Sequence, residues 1–423
     1  MARPWTYDRI LWNTRFEGET NLNRNITYFL VIFLSFIVIG CIPGGNRQAP
    51  QIKLTIRNTL PIDRENVPVI ISIDQFKQVA PDFSFKAFMV FEENADSQNP
   101  RQQEKPIHTQ VDDTDYDGTR DQLVFLIDLA STGTKTVFIR YVSEKAEDQM
   151  PLTFGFTKQT RAGIFPHLKA LAAIESEFNI YLLEANGSIS AFAKKTEKLE
   201  LNRLGRGIND EQPNTIKLKR TEDLLGYGGF VLRNDGEQYV PHPNNKNRYQ
   251  HVRVIMDGPV RSTIERIIPN CTVGNKEIEL TETLSIYAKS RFAEHRIKIQ
   301  GDFEGIQIET GIPKSKTEDN QVTEGKGFIQ YWQDTNLDQS GEGTIGAGLI
   351  YPPKQPDSLA SGSNIFLKPD KNGEVIWYVV GVCDKGDLGF KTKEDFKQFL
   401  ALKAVELHTP PVVQLFGTEE LTE

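Results

Sequence analysis

The chain has 423 residues, of which 38% are hydrophobic, and it carries a net charge of −8 at pH 7. This hydrophobic content is enough for a large buried core and excludes a chain that is disordered throughout. An acidic chain without a basic stripe is not expected to bind nucleic acid, and three cysteines are too few for a disulfide scaffold or a zinc site of paired Cys-x-x-Cys motifs. We therefore expect a folded protein of two or three domains.

Residues 26–40 form an uncharged apolar run behind Arg24. The run is shorter than the roughly 20 residues that span a bilayer, and it has the form of a signal-peptide core. It ends in Val38-Ile39-Gly40-Cys41, which resembles the lipobox of bacterial lipoproteins. We predict that residues 1–40 are a signal peptide and that residues 41–50 are a linker lipidated at Cys41. The alternative is a plain N-terminal anchor with an incidental cysteine.

The residues before Arg24 include acids and two tryptophans, which is unusual for a signal peptide and indicates an over-extended N-terminus. Ile42, and not Asp, follows the predicted lipidated cysteine, and in such signals this indicates the outer membrane. We expect a cell-envelope protein that faces the periplasm or the surface. Its membrane contact would be through the lipid anchor only.

Period-two alternation of apolar residues begins with Ile52, Leu54 and Ile56. Five short runs of this kind are separated by turn residues, a pattern typical of an antiparallel sandwich and not of βαβ units. We predict an N-terminal β-sandwich over residues 51–147. The five runs are residues 51–58, 67–73, 85–91, 122–129 and 134–142.

Residues 148–423 are also rich in strand patterns and lack propeller repeats. Their length favours one large β-supersandwich of the galactose-mutarotase type, so the predicted fold class is all-β and mainly antiparallel. Two helices are predicted: a short one at residues 167–175 and a C-terminal one that Thr392 caps. The clearest strand patterns are residues 263–270, 276–288, 291–300, 344–351 and 374–382.

An acidic loop lies between two predicted strands. Asp113, Asp115, Asp117 and Asp121 take positions 1, 3, 5 and 9 of a calcium loop, and Gly118 takes position 6. Position 12 is a valine where a bidentate Glu is wanted. The loop is therefore either a calcium site or a hairpin turn in which the Asp side chains bond their own backbone.

Two polar groups are candidates for chemistry. Period two places Tyr249, His251 and Arg253 on one strand face, where Arg could neutralise a carboxylate and His or Tyr could move a proton. The alternative is a solvated outer face. His167, Glu175 and Glu177 form the second group, near the start of the second predicted domain.

Glu282 lies in an otherwise apolar strand face. It is either a general acid or base, or one partner of a structural ion pair with an arginine such as Arg261 or Arg291. His295 shares a face with apolar residues and is predicted to be a core histidine.

Cys271 and Cys383 are the two cysteines of the large domain. An oxidising periplasm would allow them to form a disulfide. The sequence alone leaves open whether they pair.

Several longer stretches share a family pattern. They include "IRNTLPIDRENVPVIISI", "HTQVDDTDYDGTRDQLVFLIDLASTGTKTV", "IESEFNIYLLEANGSISAFAKK" and "HVRVIMDGPVRSTIE". Together with "ETLSIYAKSR", "IETGIPK" and "LHTPPVVQL", they resemble a family of bacterial lipoproteins known as domain of unknown function 4861. The resemblance implies a mutarotase-like sandwich associated with polysaccharide utilisation. It also implies a dehydratase or eliminase activity on uronate-containing oligosaccharides.

The chain departs from the family pattern around one strand. Ser190 and Phe192-Ala193-Lys194 stand where the family tends to have an acidic residue before Tyr-Gly-Lys, and Ile174 replaces an aromatic residue. The histidines that precede this segment are reduced to His167. If these positions perform the family's chemistry, this member has an altered or lost activity.

Two hypotheses follow. The first is an enzyme that performs β-elimination or dehydration on uronate oligosaccharides, which needs a base, an acid and a group that neutralises the carboxylate. His251 or His167 would be the base, Arg253 the neutralising group, and Tyr249 or Glu175 the acid.

In this hypothesis Lys194 contacts the substrate, and Tyr331 and Trp332 form a stacking platform for sugar rings. The second hypothesis is a non-catalytic glycan-binding or scaffold lipoprotein. The enzyme hypothesis with these residues requires that the predicted catalytic side chains meet in one pocket.

Overall fold

The structure is a computed structural model. It describes residues 50–93, 104–143, 156–168, 170–204, 214–218, 225–241, 250–313, 323–333, 344–353, 356–360 and 363–417. The predicted signal peptide, the lipidation site Cys41 and the candidate acid Tyr249 lie outside these residues. Within them, no helix is both long and apolar enough to cross a membrane.

The first part of the chain forms a β-sandwich. Its elements are β1 (Gln51–Arg57), β2 (Arg64–Ser72), α1 (Ile73–Val79), β3 (Phe88–Glu93), β4 (Glu104–Pro106), β5 (Thr109–Asp112), β6 (Gln122–Leu129) and β7 (Thr134–Tyr141). A five-stranded sheet has the order Val412–Phe416, β1, β7, β3, β4, and a three-stranded sheet has the order β2, β6, β5.

The predicted alternation accounts for the core of this sandwich. Ile52, Leu54 and Ile56 are fully buried between the two sheets. The helix α1 was not predicted, because its first residue was assigned to a strand. A capping box between Ser72 and Gln75 starts it, and that signal is visible in the sequence.

The remaining strands build a larger sandwich. An eight-stranded sheet has the order β15-β16-β17-β18-β25-β22-β21-β20, and two five-stranded sheets have the orders β12-β11-β10-β9-β8 and β14-β13-β19-β24-β23. The strands are β8 (Arg161–Gly163), β9 (Ala172–Glu175), β10 (Asn179–Leu183), β11 (Ile189–Lys194), β12 (Thr215–Lys217), β13 (Phe230–Asn234), β14 (Glu237–Tyr239), β15 (His251–Asp257), β16 (Arg261–Val273), β17 (Lys276–Tyr287), β18 (Ala293–Gly301), β19 (Gln307–Gly311), β20 (Thr323–Gly325), β21 (Phe328–Gln333), β22 (Ile345–Ile350), β23 (Pro356–Ala360), β24 (Asn364–Leu367), β25 (Glu374–Cys383) and β26 (Val412–Phe416).

One apolar core joins the three sheets of the larger sandwich, with Tyr181, Leu284 and Trp377 among its members. The opposite face of the eight-stranded sheet is covered by the C-terminal helix α2 (Lys393–His408), which buries Phe396 and Leu400 there. Every strand pair in the described sheets is antiparallel apart from one isolated bridge. The predicted all-β fold with a C-terminal helix is confirmed.

The prediction of a helix at residues 167–175 is wrong. Pro166–Leu168 is a single 3₁₀ turn, and Ala172–Glu175 is strand β9. All four residues of β9 are buried, and the strand pairs with β10. Sheet pairing has overridden a helical spacing of apolar residues that was too short to decide the structure.

Strand β26 belongs to the first sandwich although it follows the larger one in the chain. It pairs antiparallel with β1, with Arg57 opposite Val412 and Lys53 opposite Phe416. The described residues, from Pro50 onward, form one compact unit. The division into domains at residues 51–147 and 148–423 stays a prediction.

Candidate functional site

The described members of the predicted catalytic set lie on opposite sides of the apolar core of the larger sandwich. On β9, Ile174 points into the shared core, so the next residue, Glu175, points to the other side of its sheet. On β15, Val252 and Val254 pack against the same core, so His251 and Arg253 point away from it. The core therefore separates the two groups, and the structure does not bring them into one pocket.

Glu175 and Lys194 form a fully buried ion pair. The Lys194 ammonium also donates to the backbone carbonyls of Ser176 and Lys198, and the Glu175 carboxylate also accepts from the backbone N–H groups of residues 200–201. Burial raises the pKa of Glu175 and lowers the pKa of Lys194. The pair fastens the loop after β11 to the sheet, so Lys194 is not presented to a substrate as predicted.

The predicted histidines have structural or solvated surroundings. His167 Nε2 donates to the backbone carbonyl of Leu204 at 2.8 Å, which anchors its turn. His251 is exposed at the first position of β15. Arg253 on the same face pairs with Glu265 at 2.7 Å. These contacts agree with the alternative that the β15 face is a solvated outer surface.

The predicted stacking platform is wrong. Tyr331 and Trp332 are 5% and 4% exposed, and they belong to different clusters on opposite faces of β21. Tyr331 lies in the central core, whereas Trp332 packs against Phe396 of α2 at 5.9 Å between ring centroids. Consecutive residues of a strand point to opposite faces, so the two rings cannot form one surface.

The acidic loop gathers three of its four predicted carboxylates. Oxygens of Asp113, Asp115 and Asp117 lie within 4.8 Å of one another. Asp121 is turned away and accepts hydrogen bonds from the backbone and hydroxyl of Thr114 at 2.6 and 2.7 Å. The three gathered carboxylates also accept backbone N–H groups of their own loop, as the turn alternative predicts. The geometry thus suits both alternatives, and calcium binding stays a prediction.

Glu282 is part of a buried polar network and not of an open site. Its carboxylate pairs with Arg266 and lies 2.7 Å from His295 Nε2. His295 Nδ1 and Trp377 Nε1 both donate to the carbonyl of Gly228 at 2.9 Å. Burial acts to raise the pKa of Glu282, but the charge of Arg266 and the contact with His295 outweigh it and the net shift is downward. The structural ion pair is confirmed, with Arg266 in place of Arg261 or Arg291, and His295 is a core histidine.

Cys271 and Cys383 are free, buried thiols. They lie on β16 and β25, which two strands separate in the eight-stranded sheet. Strands are spaced by about 4.8 Å, so the two Cα atoms are farther apart than the roughly 7 Å that a disulfide allows. The pairing left open by the sequence does not form.

A groove of about 620 Å³ lies where β2 of the first sandwich meets the outer face of the eight-stranded sheet and α2. We call it the junction groove. Its lining combines aromatic rings with charges of both signs. The aromatic residues are Phe178, Tyr287, Phe292, Tyr378 and Phe399, the cations are Arg64, Lys289, Arg291 and Lys403, and the carboxylates are Glu65, Glu197, Glu294 and Glu406.

The floor of the junction groove has a carboxylate beside a phenol. Glu294 on β18 is directly opposite Tyr378 on β25, so the carboxylate and the phenol lie side by side on the same face of the sheet. Burial, with a further contribution from Glu294, raises the pKa of Tyr378. Arg296 Nη2 also contacts the Glu294 carboxylate at 3.1 Å. The arrangement can accept a proton at the carboxylate and donate one from the phenol.

The sequence did not single out Tyr287, Glu294 or Tyr378. Each alternates with core residues on its strand, so each could be assigned to an outer face. What the sequence does not show is which strands are neighbours, and Glu294 and Tyr378 are separated by more than 80 positions. Only the pairing of β18 with β25 places them side by side.

The fold defines an all-β protein made of two sandwiches. The chain matches the family described as "Domain of unknown function (DUF4861)" over residues 56–169 and 223–413. The match covers more than half of the chain, and the protein belongs to this family. The resemblance expected from the sequence is confirmed. No curated protein matches the chain.

Several solved structures are similar to this chain. They include an alpha-mannosidase from Enterococcus faecalis V583, with a TM-score of 0.49 at 11% identity over 94% of this chain and 49% of that chain. A glycosyl hydrolase family 38 protein from Enterococcus faecalis gives a TM-score of 0.50 at 11% identity over 94% and 51%. A putative kojibiose phosphorylase from human microbiome gives 0.37 at 10% identity over 60% and 37%. The chain spans about half the length of the first two, and the likeness shows the fold alone.

Proposed function

We propose that this protein acts on carbohydrate in the junction groove, as a lyase or dehydratase of uronate-containing oligosaccharides. The observation that supports this most is the pairing of Glu294 with Tyr378 on the floor of a groove lined by aromatic rings. Aromatic rings provide faces for sugar rings, and the groove volume lies within the range of small-molecule sites.

The proposed reaction is an elimination. A base removes the proton on the carbon next to the uronate carboxylate, the electrons of that C–H bond form a C=C bond, and the C–O bond at the next carbon breaks. Glu294 would take the proton, and Tyr378 would protonate the departing oxygen. A sugar as leaving group makes the enzyme a lyase, whereas water as leaving group makes it a dehydratase.

The comparisons and the motifs support different parts of this proposal. A fold shared with a glycosyl hydrolase family 38 protein is consistent with a carbohydrate ligand. The resemblance to the family motifs adds the uronate class and the elimination chemistry. The lipobox predicted at Cys41 supports a lipoprotein anchored in the cell envelope, where it would meet oligosaccharides.

The second candidate function is a non-catalytic glycan-binding or scaffold lipoprotein. It is favoured by the separation of Glu175 and His167 from His251 and Arg253, because the predicted catalytic set does not assemble. In this case the junction groove binds an oligosaccharide and releases it unchanged.

The test is incubation with a panel of uronate oligosaccharides, followed by the near-ultraviolet absorbance of a conjugated double bond and by product masses. Tyr378→Phe and Glu294→Gln should each lower turnover by roughly 10²–10⁴-fold, since general acid–base catalysis contributes about that much. His251→Ala is the matched control, because this side chain lies on the outer β15 face.

Turnover that survives in both groove variants but is lost in His251→Ala would contradict this placement of the site. If the protein binds an oligosaccharide but forms no product, and the groove variants weaken that binding, the glycan-binding function is established instead.

A further inference from the structure

Arg291 differs from the other cations of the junction groove. Lys289 pairs with Glu197 at 2.7 Å, and Lys403 pairs with Glu406 at 2.7 Å. Among the described residues, no hydrogen bond or ion pair reaches the guanidinium of Arg291.

Arg64, the remaining cation of the groove, uses both terminal nitrogens within the chain, and only its buried Nε has no partner among the described residues. Its two terminal nitrogens donate to the backbone carbonyls of Thr409 and Glu406 at 2.8 and 2.9 Å. The groove therefore offers one guanidinium whose donors are not taken by the described part of the chain, and this is Arg291.

Aromatic rings hold Arg291 in place without neutralising it. Its guanidinium carbon lies 4.9 Å from the ring centroid of Phe178 and 5.2 Å from that of Phe390. Contacts of this kind fix the position of a cation, but they leave its N–H donors available for an anion.

The surroundings of Arg291 also strengthen its attraction for an anion. The side chain is partly buried, and burial lowers the pKa of its guanidinium. Burial acts on Arg296 in the same direction, but its partners Glu294 and Glu374 outweigh it and the net shift there is upward. A desolvated cation without a carboxylate partner binds an anion more strongly than a solvated one does.

We infer that Arg291 is the carboxylate-binding residue of the junction groove and that it binds the uronate carboxylate of an acidic oligosaccharide. This inference rests on the proposed function and deepens it. A guanidinium matches the two oxygens of a carboxylate with two parallel N–H donors, which a lysine cannot do. In an elimination, the same contact stabilises the charge that develops on the carboxylate when the neighbouring proton leaves.

The test compares acidic and neutral forms of one sugar. Calorimetry measures the binding of a glucuronate trisaccharide, a galacturonate trisaccharide and the carboxyl-reduced form of each. The parent should prefer the acidic form of at least one pair, and Arg291→Met should weaken binding of that form by about tenfold or more. Binding of the reduced form should stay within about twofold, because the reduced sugar has no charge for Arg291 to meet.

Arg140→Met is the matched control. Arg140 also lies over a phenylalanine ring, at 4.9 Å from the centroid of Phe91, but it pairs with Glu104 in the first sandwich. This variant should keep the preference of the parent. If Arg291→Met does not fold, Arg291→Lys takes its place, and it should weaken acidic binding alone because it keeps the charge and loses the paired donors.

Three results would overturn the inference. If Arg291→Met keeps the full preference for the acidic sugar, the carboxylate binds elsewhere while the proposed function stands. A trisaccharide with a sulfate ester provides the second result. If the parent binds it better than either uronate, and Arg291→Met loses the binding of the sulfated sugar alone, the residue selects sulfate. If the parent binds neither the acidic nor the reduced form, the proposed function fails as well.

Discussion

The buried pair of Lys194 and Glu175 gives the most decisive test of the packing described above. Lys194→Met replaces the ammonium with an apolar side chain of similar length. It leaves the Glu175 carboxylate buried with backbone N–H groups as its remaining donors, and it removes the donor to the carbonyls of Ser176 and Lys198.

The expected loss of stability is large. Removing one partner of a buried ion pair typically costs about 3–5 kcal/mol, because the other charge stays buried without compensation. With an unfolding entropy of about 2.1 cal/mol/K per residue, a loss of about 4 kcal/mol in a chain of this size lowers Tm by about 5 °C. The double variant Lys194→Met/Glu175→Gln removes both charges and should recover more than half of the loss.

The loss should depend on pH. Burial raises the folded-state pKa of Glu175, so its contribution to stability is present at low pH and is lost as the pH rises through the raised pKa. Without Lys194 the raised pKa moves further up. The deficit of Lys194→Met relative to the parent should therefore be smallest near about pH 4.5 and should grow towards about pH 8.

Urea unfolding followed by circular dichroism at both pH values measures these quantities. Lys158→Met is the control, because Lys158 pairs with Asp257 on the surface, with 45% and 35% of the two side chains exposed. This variant should lose about 0–1 kcal/mol. A loss below about 1 kcal/mol for Lys194→Met, or a double variant as unstable as both single changes together, would refute the reasoning.

Two further predictions concern the acidic loop and the N-terminus. If the three carboxylates of Asp113, Asp115 and Asp117 bind calcium, chelation should lower Tm, and free calcium at a hundredfold excess over Kd should stabilise the chain by about 2.7 kcal/mol. If the parent has the same Tm with chelator and with calcium, and Asp115→Asn has that Tm too, the loop is a plain turn. The mature parent should partition into detergent, and Cys41→Ser should block lipidation, so that an unlipidated precursor accumulates. If Cys41→Ser is processed like the parent and partitions into detergent like the parent, the lipobox prediction is wrong.

The sequence predicts this fold well wherever one face of a strand is buried. Ile52, Leu54 and Ile56 alternate with polar residues, and period two alone is enough to assign β1 and its buried face. The cap at Thr392 likewise predicts the start of α2, where its side chain accepts from the backbone N–H of Asp395 at 3.0 Å.

The candidate site is less predictable because it depends on which strands are neighbours. His251 and Glu175 are both polar residues on short strands, and the sequence does not show that an apolar core lies between them. Glu294 and Tyr378 are paired, but they come from strands far apart in the chain. Alternation assigns a residue to a face, whereas a site requires the order of the strands in the sheet.

The pairing of β26 with β1 also imposes an order on biosynthesis. Arg57 leaves the ribosome long before its partner Val412, and at about 5–20 residues per second the interval is on the order of a minute or less. During that time one edge of β1 has no strand beside it, and such an edge invites aggregation. A nascent chain therefore exposes this edge of β1 until the residues of β26 are available to complete the sheet.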